Sequence, residues 1–201
     1  MPNAIWWFYV QLMTTNSRHL PVCLAILMFF AGQSSIGAEI QPVLPVKVLD
    51  FSRYLGKWHE ISKYPNKFQR KCVRDTSAEY SLGDQGEVIV RNRCTTAEGT
   101  VEAVTGAARR VAPEYPTRLK VRFAPSWLSW LPLVWGDYWV IGLAPDYRYA
   151  VVGEPSRQYL WILARDTRLS QDDRTAIDTL LGAAGYESQR LVETPQSGNH
   201  Q

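Results

Sequence analysis

From Val73 onward, hydrophobic and polar residues alternate along the chain, and turn-forming residues interrupt the alternation about every ten positions. Ala78, Tyr80 and Leu82 fall on one side of an extended segment, and Ser77, Glu79 and Ser81 on the other. After Gly83-Asp84-Gln85-Gly86, Val88 and Val90 alternate with Arg91 and Arg93. This predicts a hairpin, because Gly and Asp supply the positive φ that tight turns require. Further strands are predicted from Val101 to Arg109, Arg118 to Phe123, Tyr138 to Leu143, Tyr149 to Gly153 and Gln158 to Ala164. One more around Trp58 to Tyr64 brings the count to eight. Eight antiparallel strands in one meander suffice to close a barrel and remove exposed edges, although a sandwich fits the alternation nearly as well. A single helix follows. Ser170 caps it, Asp172 and Asp173 suit its positive N-terminal end, and Gly185 stops it. Ile177, Leu180, Leu181 and Ala184 form one apolar stripe, whose natural partner is the outside of the barrel.

Residues 1–38 are a different material, with Arg18 as their one charged side chain. Arg18 and His19 precede an apolar run from Val22 to Ala31, and the small and polar stretch Gly32 to Ala38 follows, as in a secretory signal. Cleavage near Gly37 or Ala38 leaves a mature chain from about Glu39, made up of a domain over 39–192 and a polar tail over 193–201, loose from Pro195 on. The apolar run is too short to span a bilayer, which takes about 20 residues. The leader is long, and translation from Met13 is one explanation. Cys23 stands at the very start of the apolar run, behind Leu20-Pro21-Val22, whereas a lipid-attachment Cys follows such a run and a small residue. The expectation is therefore a periplasmic, unlipidated protein, either free or peripheral to the outer membrane.

The chain of 201 residues is 46% hydrophobic, enough for one globular domain, and its formal charge of +3 is too small for a nucleic-acid partner. Removing the leader leaves Cys72 and Cys94, near the open ends of the predicted hairpin. In an oxidising compartment an even number of Cys reads as a disulfide, here needing a bulge or short loop to bring the pair opposite. Gln69-Arg70-Lys71 beside Cys72 keeps open a thiolate of lowered pKa. His59 is the one His in the body of the mature chain, Glu60 has no second carboxylate assigned to it, and zinc spacings, P-loops and nucleophile elbows are absent. No catalytic residue, metal or cofactor is expected, and the chain reads as a non-enzyme.

Three motifs resemble the lipocalin family. Gly56-Lys57-Trp58-His59-Glu60-Ile61, behind Tyr54-Leu55, resembles the Gly-x-Trp signature of the first lipocalin strand. Asp146-Tyr147-Arg148-Tyr149 resembles the second signature with one residue fewer between the tyrosines. Leu160-Trp161-Ile162-Leu163-Ala164-Arg165 resembles the third, whose Arg sits over the signature Trp at the closed end. The resemblance spans about Leu49 to Val192 and is nearest to the bacterial, apolipoprotein D-like branch, where His59 replaces a usual Tyr. It implies an eight-stranded antiparallel up-and-down barrel with one C-terminal helix outside. Gly56, Trp58 and Arg165 then have structural roles, and the calyx takes a fatty acid or lysophospholipid.

The calyx lining expected on this basis is Ala78, Tyr80, Val90, Val104, Gly106, Ala108, Leu119, Val121, Phe123, Tyr138, Val140, Ala150, Val152, Tyr159 and Trp161. The small residues among them leave space for a ligand; a packed core is the alternative. The connection from Ala124 to Gly136 carries three of the eight Trp and no charge. Leaving Trp127, Leu128, Trp130, Leu131, Leu133, Val134 and Trp135 all exposed would forgo about 10 kcal/mol of burial. The loop is expected either to dock the barrel mouth on a membrane, or to fold over the mouth or form a homodimer contact. A lipocalin-fold enzyme using a Cys thiolate and a protein–protein adaptor using this loop are the other readings.

Overall fold

The computed structural model describes residues 41–84, 86–111, 115 and 117–197; the leader assigned to residues 1–38 lies outside them. A one-turn helix α1, Phe51–Tyr54, capped by the Asp50 carboxylate, leads into the strands. These are β1 (Gly56–Lys63), β2 (Cys72–Leu82), β3 (Val88–Thr96), β4 (Val101–Arg110), β5 (Arg118–Arg122), β6 (Gly136–Leu143), β7 (Tyr149–Gly153) and β8 (Leu160–Ala164). Each pairs antiparallel with the next, and β1 pairs with both β8 and β2, which closes the sheet. The alternation therefore belongs to a barrel, not a sandwich. Helix α2, Gln171–Ala183, lies outside; the Ser170 hydroxyl accepts from Asp173 N–H and Gly185 takes a positive φ just beyond the end. Ile177 and Leu181 pack on Ile61, Ile141, Val151 and Ile162 of the outer wall, as the stripe requires. The Arg148 guanidinium fixes the helix start by binding both oxygens of the buried Asp173 carboxylate.

The inner cluster sits at the closed end. Trp58, Tyr54, Ala78, Tyr80, Val90, Ala108, Leu119, Tyr138, Val140, Ala150, Val152 and Leu163 are buried together there. Gly56 enters β1 at φ +89, a conformation that costs other residues strain, and Arg165 lies against it. The Arg165 guanidinium stacks 3.8 Å from the Trp58 ring centre and donates to the carbonyls of Arg53, Leu55 and Lys57. Those carbonyls belong to the turn that plugs the floor, so one side chain ties α1, β1 and β8 together.

Two local irregularities break the regular ladder. Between Cys72 and Ser77 the register of β2 against β3 shifts twice, with Asp75 at φ +55. That bulge brings Cys72 and Cys94 to a Cα separation of 5.4 Å, and they form a disulfide. Between Glu60 and Ser62 the register of β1 against β8 also shifts. Before the shift Glu60 faces Leu163 of the inner cluster; after it Ser62 faces the outward Ile162, and Lys63 faces the inward Trp161. Strict alternation would place Lys63 outside; the bulge turns it in.

The chain end differs from the sequence expectation. The composition suggests a loose tail from Pro195, yet the segment from Val192 to Ser197 is laid into the barrel wall. Strand β9, Val192–Glu193, pairs with β1. Beyond it, Thr194 N–H donates to Ile61 O and Asp75 N–H donates to Pro195 O. The Gln196 amide donates to Glu60 O on one side and Thr76 O on the other. The strands β1 and β2 stop pairing above His59 and Ser77, and the tail satisfies backbone groups this split would orphan.

Candidate functional site

Along an antiparallel pair, residues directly opposite share a face. Trp58, Ala78, Asn92 and Val104 are successive partners and therefore all point into the barrel. The same holds for Tyr80, Val90 and Gly106, and for Leu119 and Tyr138. The expected lining divides into two levels. Ala78, Tyr80, Val90, Ala108, Leu119, Tyr138, Val140, Ala150 and Val152 lie in the filled floor, with Val121 and Trp161 packed against it. Val104 and Phe123 are higher, 46% and 39% exposed. The lower barrel is thus a packed core, and the exposed inward positions are those higher up, on β4 and just past β5. The room ascribed to Gly106 is already occupied: a Cβ there would meet the Phe123 ring at 2.6 Å and Arg122 O at 2.5 Å.

Three tyrosines meet across the filled floor. Tyr138 Oη lies 2.9 Å from Tyr54 Oη and 2.6 Å from Tyr80 Oη. Burial pushes Tyr80 up to about 12 and holds Tyr54 and Tyr138 well above the ordinary tyrosine range, so all three stay neutral phenols at physiological pH.

Above them is a polar cluster. The buried Glu60 carboxylate accepts from Lys63 Nζ at 2.6 Å, Thr194 Oγ1 at 2.6 Å and Gln69 Nε2 at 2.5 Å. Gln69 Oε1 in turn accepts from Trp161 Nε1 at 2.9 Å. The Trp161 ring stacks on Tyr159 at 5.9 Å and 7°. The Asn92 side-chain oxygen has no hydrogen-bond partner among the described residues. Sequence reasoning misses this cluster: Thr194 is far from Glu60 in sequence, and Lys63 turns inward only through the bulge. His59, on the outer face, meets Gln196 at 3.2 Å.

The loop between β5 and β6 sits at the open end, as the meander predicts, and folds into two short 3-10 turns, Ser126–Leu128 and Pro132–Val134. Its seven large apolar residues do not behave alike. Trp127, Trp130 and Leu133 are 72%, 74% and 96% exposed, while Leu128, Leu131 and Val134 are half-buried. Trp135 is tethered: Nε1 donates to Ser129 O, and the guanidiniums of Arg109 and Arg122 lie 4.0 and 5.3 Å from its ring centre.

Residues 49–196 match the family model of the lipocalin-like domain. The chain is a lipocalin. It is 39% identical over 154 residues to temperature-induced lipocalin-1 of Arabidopsis thaliana, covering 76% of this chain and 82% of that one. It is 31% identical over 183 residues to the outer membrane lipoprotein Blc of Citrobacter freundii, covering 90% of this lipocalin and 99% of Blc. Insecticyanin from the tobacco hornworm Manduca sexta has the same fold at a TM-score of 0.60, with 22% identity, 80% of this lipocalin and 87% of insecticyanin covered. Lipocalin barrels take small hydrophobic ligands. Here the inward-facing groups above the floor are the partly exposed Val104 and Phe123, the stacked Tyr159 and Trp161, and Lys63, which faces Trp161 and is held by Glu60.

Proposed function

We propose that this lipocalin is a non-enzymatic carrier that takes the acyl chain of a fatty acid or lysophospholipid into the upper half of its barrel, with the head group toward the mouth. The observation that carries the reading is the contrast between the filled floor and the open upper wall, where Val104 and Phe123 keep apolar surface accessible within a closed barrel. An acyl chain lying there recovers burial that the free protein forgoes. Lys63, facing Trp161 and held by Glu60, supplies a cation beside that chain. The thiolate-enzyme reading loses its nucleophile, since both candidate thiols are joined.

The setting proposed is the periplasmic side of the bacterial envelope, in keeping with the Blc relatives, which are named outer membrane lipoproteins. Attachment of lipid to Cys23 is the competing arrangement, and we retain the unlipidated form because Val22, not a small residue, precedes Cys23. Exposure of Trp127, Trp130 and Leu133 supports peripheral membrane contact through the mouth loop.

A titration with a fluorescent acyl-chain probe tests the ligand reading. Val104→Trp fills the upper barrel and is expected to weaken binding at least tenfold, the loss expected when a bound chain is displaced. Ala103→Trp, one residue along and facing outward, serves as the control. Equal affinity in both variants would place the ligand elsewhere.

A further inference from the structure

We propose that the barrel mouth carries a second membrane contact, the turn Lys67–Gln69 with Phe68 at its tip, and that its cations select an anionic phospholipid surface. This deepens the membrane reading of the loop between β5 and β6 and rests on it. In the closed eight-strand order, the connection from β1 to β2 lies four strands from the connection from β5 to β6, across the mouth. A flat surface touching both connections therefore faces the barrel opening.

The turn is built to hold its tip outward. The Asn66 side-chain oxygen caps it, accepting from Phe68 N–H and Gln69 N–H at 3.1 Å each. Gln69 is drawn inward to Glu60 and Trp161. With Gln69 pinned inside, Phe68 is left 69% exposed, its ring 5.7 Å from that of Tyr159 at the calyx rim. An exposed Phe on a fixed turn, opposite two exposed Trp, matches what an interfacial contact presents to lipid.

The charges around it decide the kind of lipid. Lys67 lies 5.4 Å from the Phe68 ring centre, and Arg70 and Lys71 follow. Among the described residues neither Lys67 nor Arg70 forms an ion pair. The acids facing this group are Glu102, 3.3 Å from Lys71 with both side chains exposed, and Glu98, whose carboxyl is lowered in part by Lys71. They offset Lys71 and leave Lys67 and Arg70 uncompensated. The opposite loop has no charge of its own from Ala124 to Gly136, with Arg109 and Arg122 at its base. Apolar contacts serve neutral and anionic bilayers alike; the free cations favour the anionic one, at about fivefold per residue at low salt.

Vesicle flotation tests this, with the protein added to phosphatidylcholine vesicles and to vesicles of about three parts phosphatidylcholine to one of phosphatidylglycerol. The wild type is expected to bind the anionic vesicles more tightly. Lys67→Gln with Arg70→Gln lowers that affinity roughly 25-fold and leaves weak binding to neutral vesicles unchanged. Phe68→Ser weakens binding to both, and the difference between vesicles fades as salt rises. All three positions are exposed, so folding is not at stake. Equal wild-type and Lys67/Arg70-variant affinity for anionic vesicles overturns the second contact but not the loop, provided Trp127→Ser with Trp130→Ser still abolishes flotation. Wild-type protein that floats with neither vesicle, or that forms a dimer broken by those serine substitutions, overturns both.

Discussion

Trp58→Ala lowers the unfolding free energy by about 3–5 kcal/mol, the range for truncating a buried Trp. Trp58 is fully buried, its Nε1 donates to Tyr54 O, and its ring lies 5.0 Å from that of Tyr54. Removing it leaves a cavity beside Tyr54 and takes away the platform on which Arg165 stacks. Arg165→Ala acts from the other side. It loses a cation–π contact worth about 1–2 kcal/mol and the donors to three carbonyls of the floor turn. Both variants melt lower, Trp58→Ala by about 10 °C or more. Neither residue lies in the open upper barrel, so folded material keeps wild-type affinity for the acyl probe. Thermal denaturation followed by circular dichroism checks this, and a wild-type melting temperature for Trp58→Ala would contradict the assigned role.

Alkali is expected to unfold the barrel between about pH 10 and pH 12. In the unfolded chain tyrosines ionise near pH 10, whereas burial raises Tyr80 to about 12 and moves Tyr54 and Tyr138 in the same direction. The folded state therefore binds more protons in this window. Its stabilisation is complete below pH 10 and is lost as pH rises through the folded values. Tyr80 alone accounts for about 3 kcal/mol over that interval, and its two partners add to it. Tyr80→Phe costs about 1 kcal/mol at neutral pH through the lost hydrogen bond, yet makes stability fall less steeply above pH 10. Denaturant unfolding across this range checks the slope. Stability that stays level while phenolate absorbance rises would show that the three hydroxyls are not buried as a unit.

Much of the architecture is legible in the sequence, and the exceptions share a physical cause. Period-two alternation locates the strands because one face of each meets the inner cluster and the other meets water or the helix. Ser170, Asp173 and Gly185 mark the helix because capping is local chemistry. The pairing of Cys72 with Cys94 follows from the hairpin, given the bulge it needs. What alternation cannot see is a change of phase. Lys63 points inward only because the shift between Glu60 and Ser62 reverses the pattern. The tail reads as loose because Thr194 and Gln196 are polar and terminal; their partners, Glu60, Ile61 and Thr76, lie over a hundred residues away. The lining is legible as a face but not as two levels. Depth in a barrel depends on how Tyr54, Tyr80 and Tyr138 meet across it, which no single strand encodes.

Whether the upper barrel holds a lipid is decided most simply by native mass spectrometry. The protein is exported to a bacterial periplasm, purified without detergent and sprayed from volatile buffer. The expected spectrum carries an added mass equal to one fatty acid or lysophospholipid, exchangeable for oleate or lysophosphatidylcholine supplied in excess and diminished in Val104→Trp. A bare polypeptide mass that takes up neither lipid would contradict a lipid-carrying barrel.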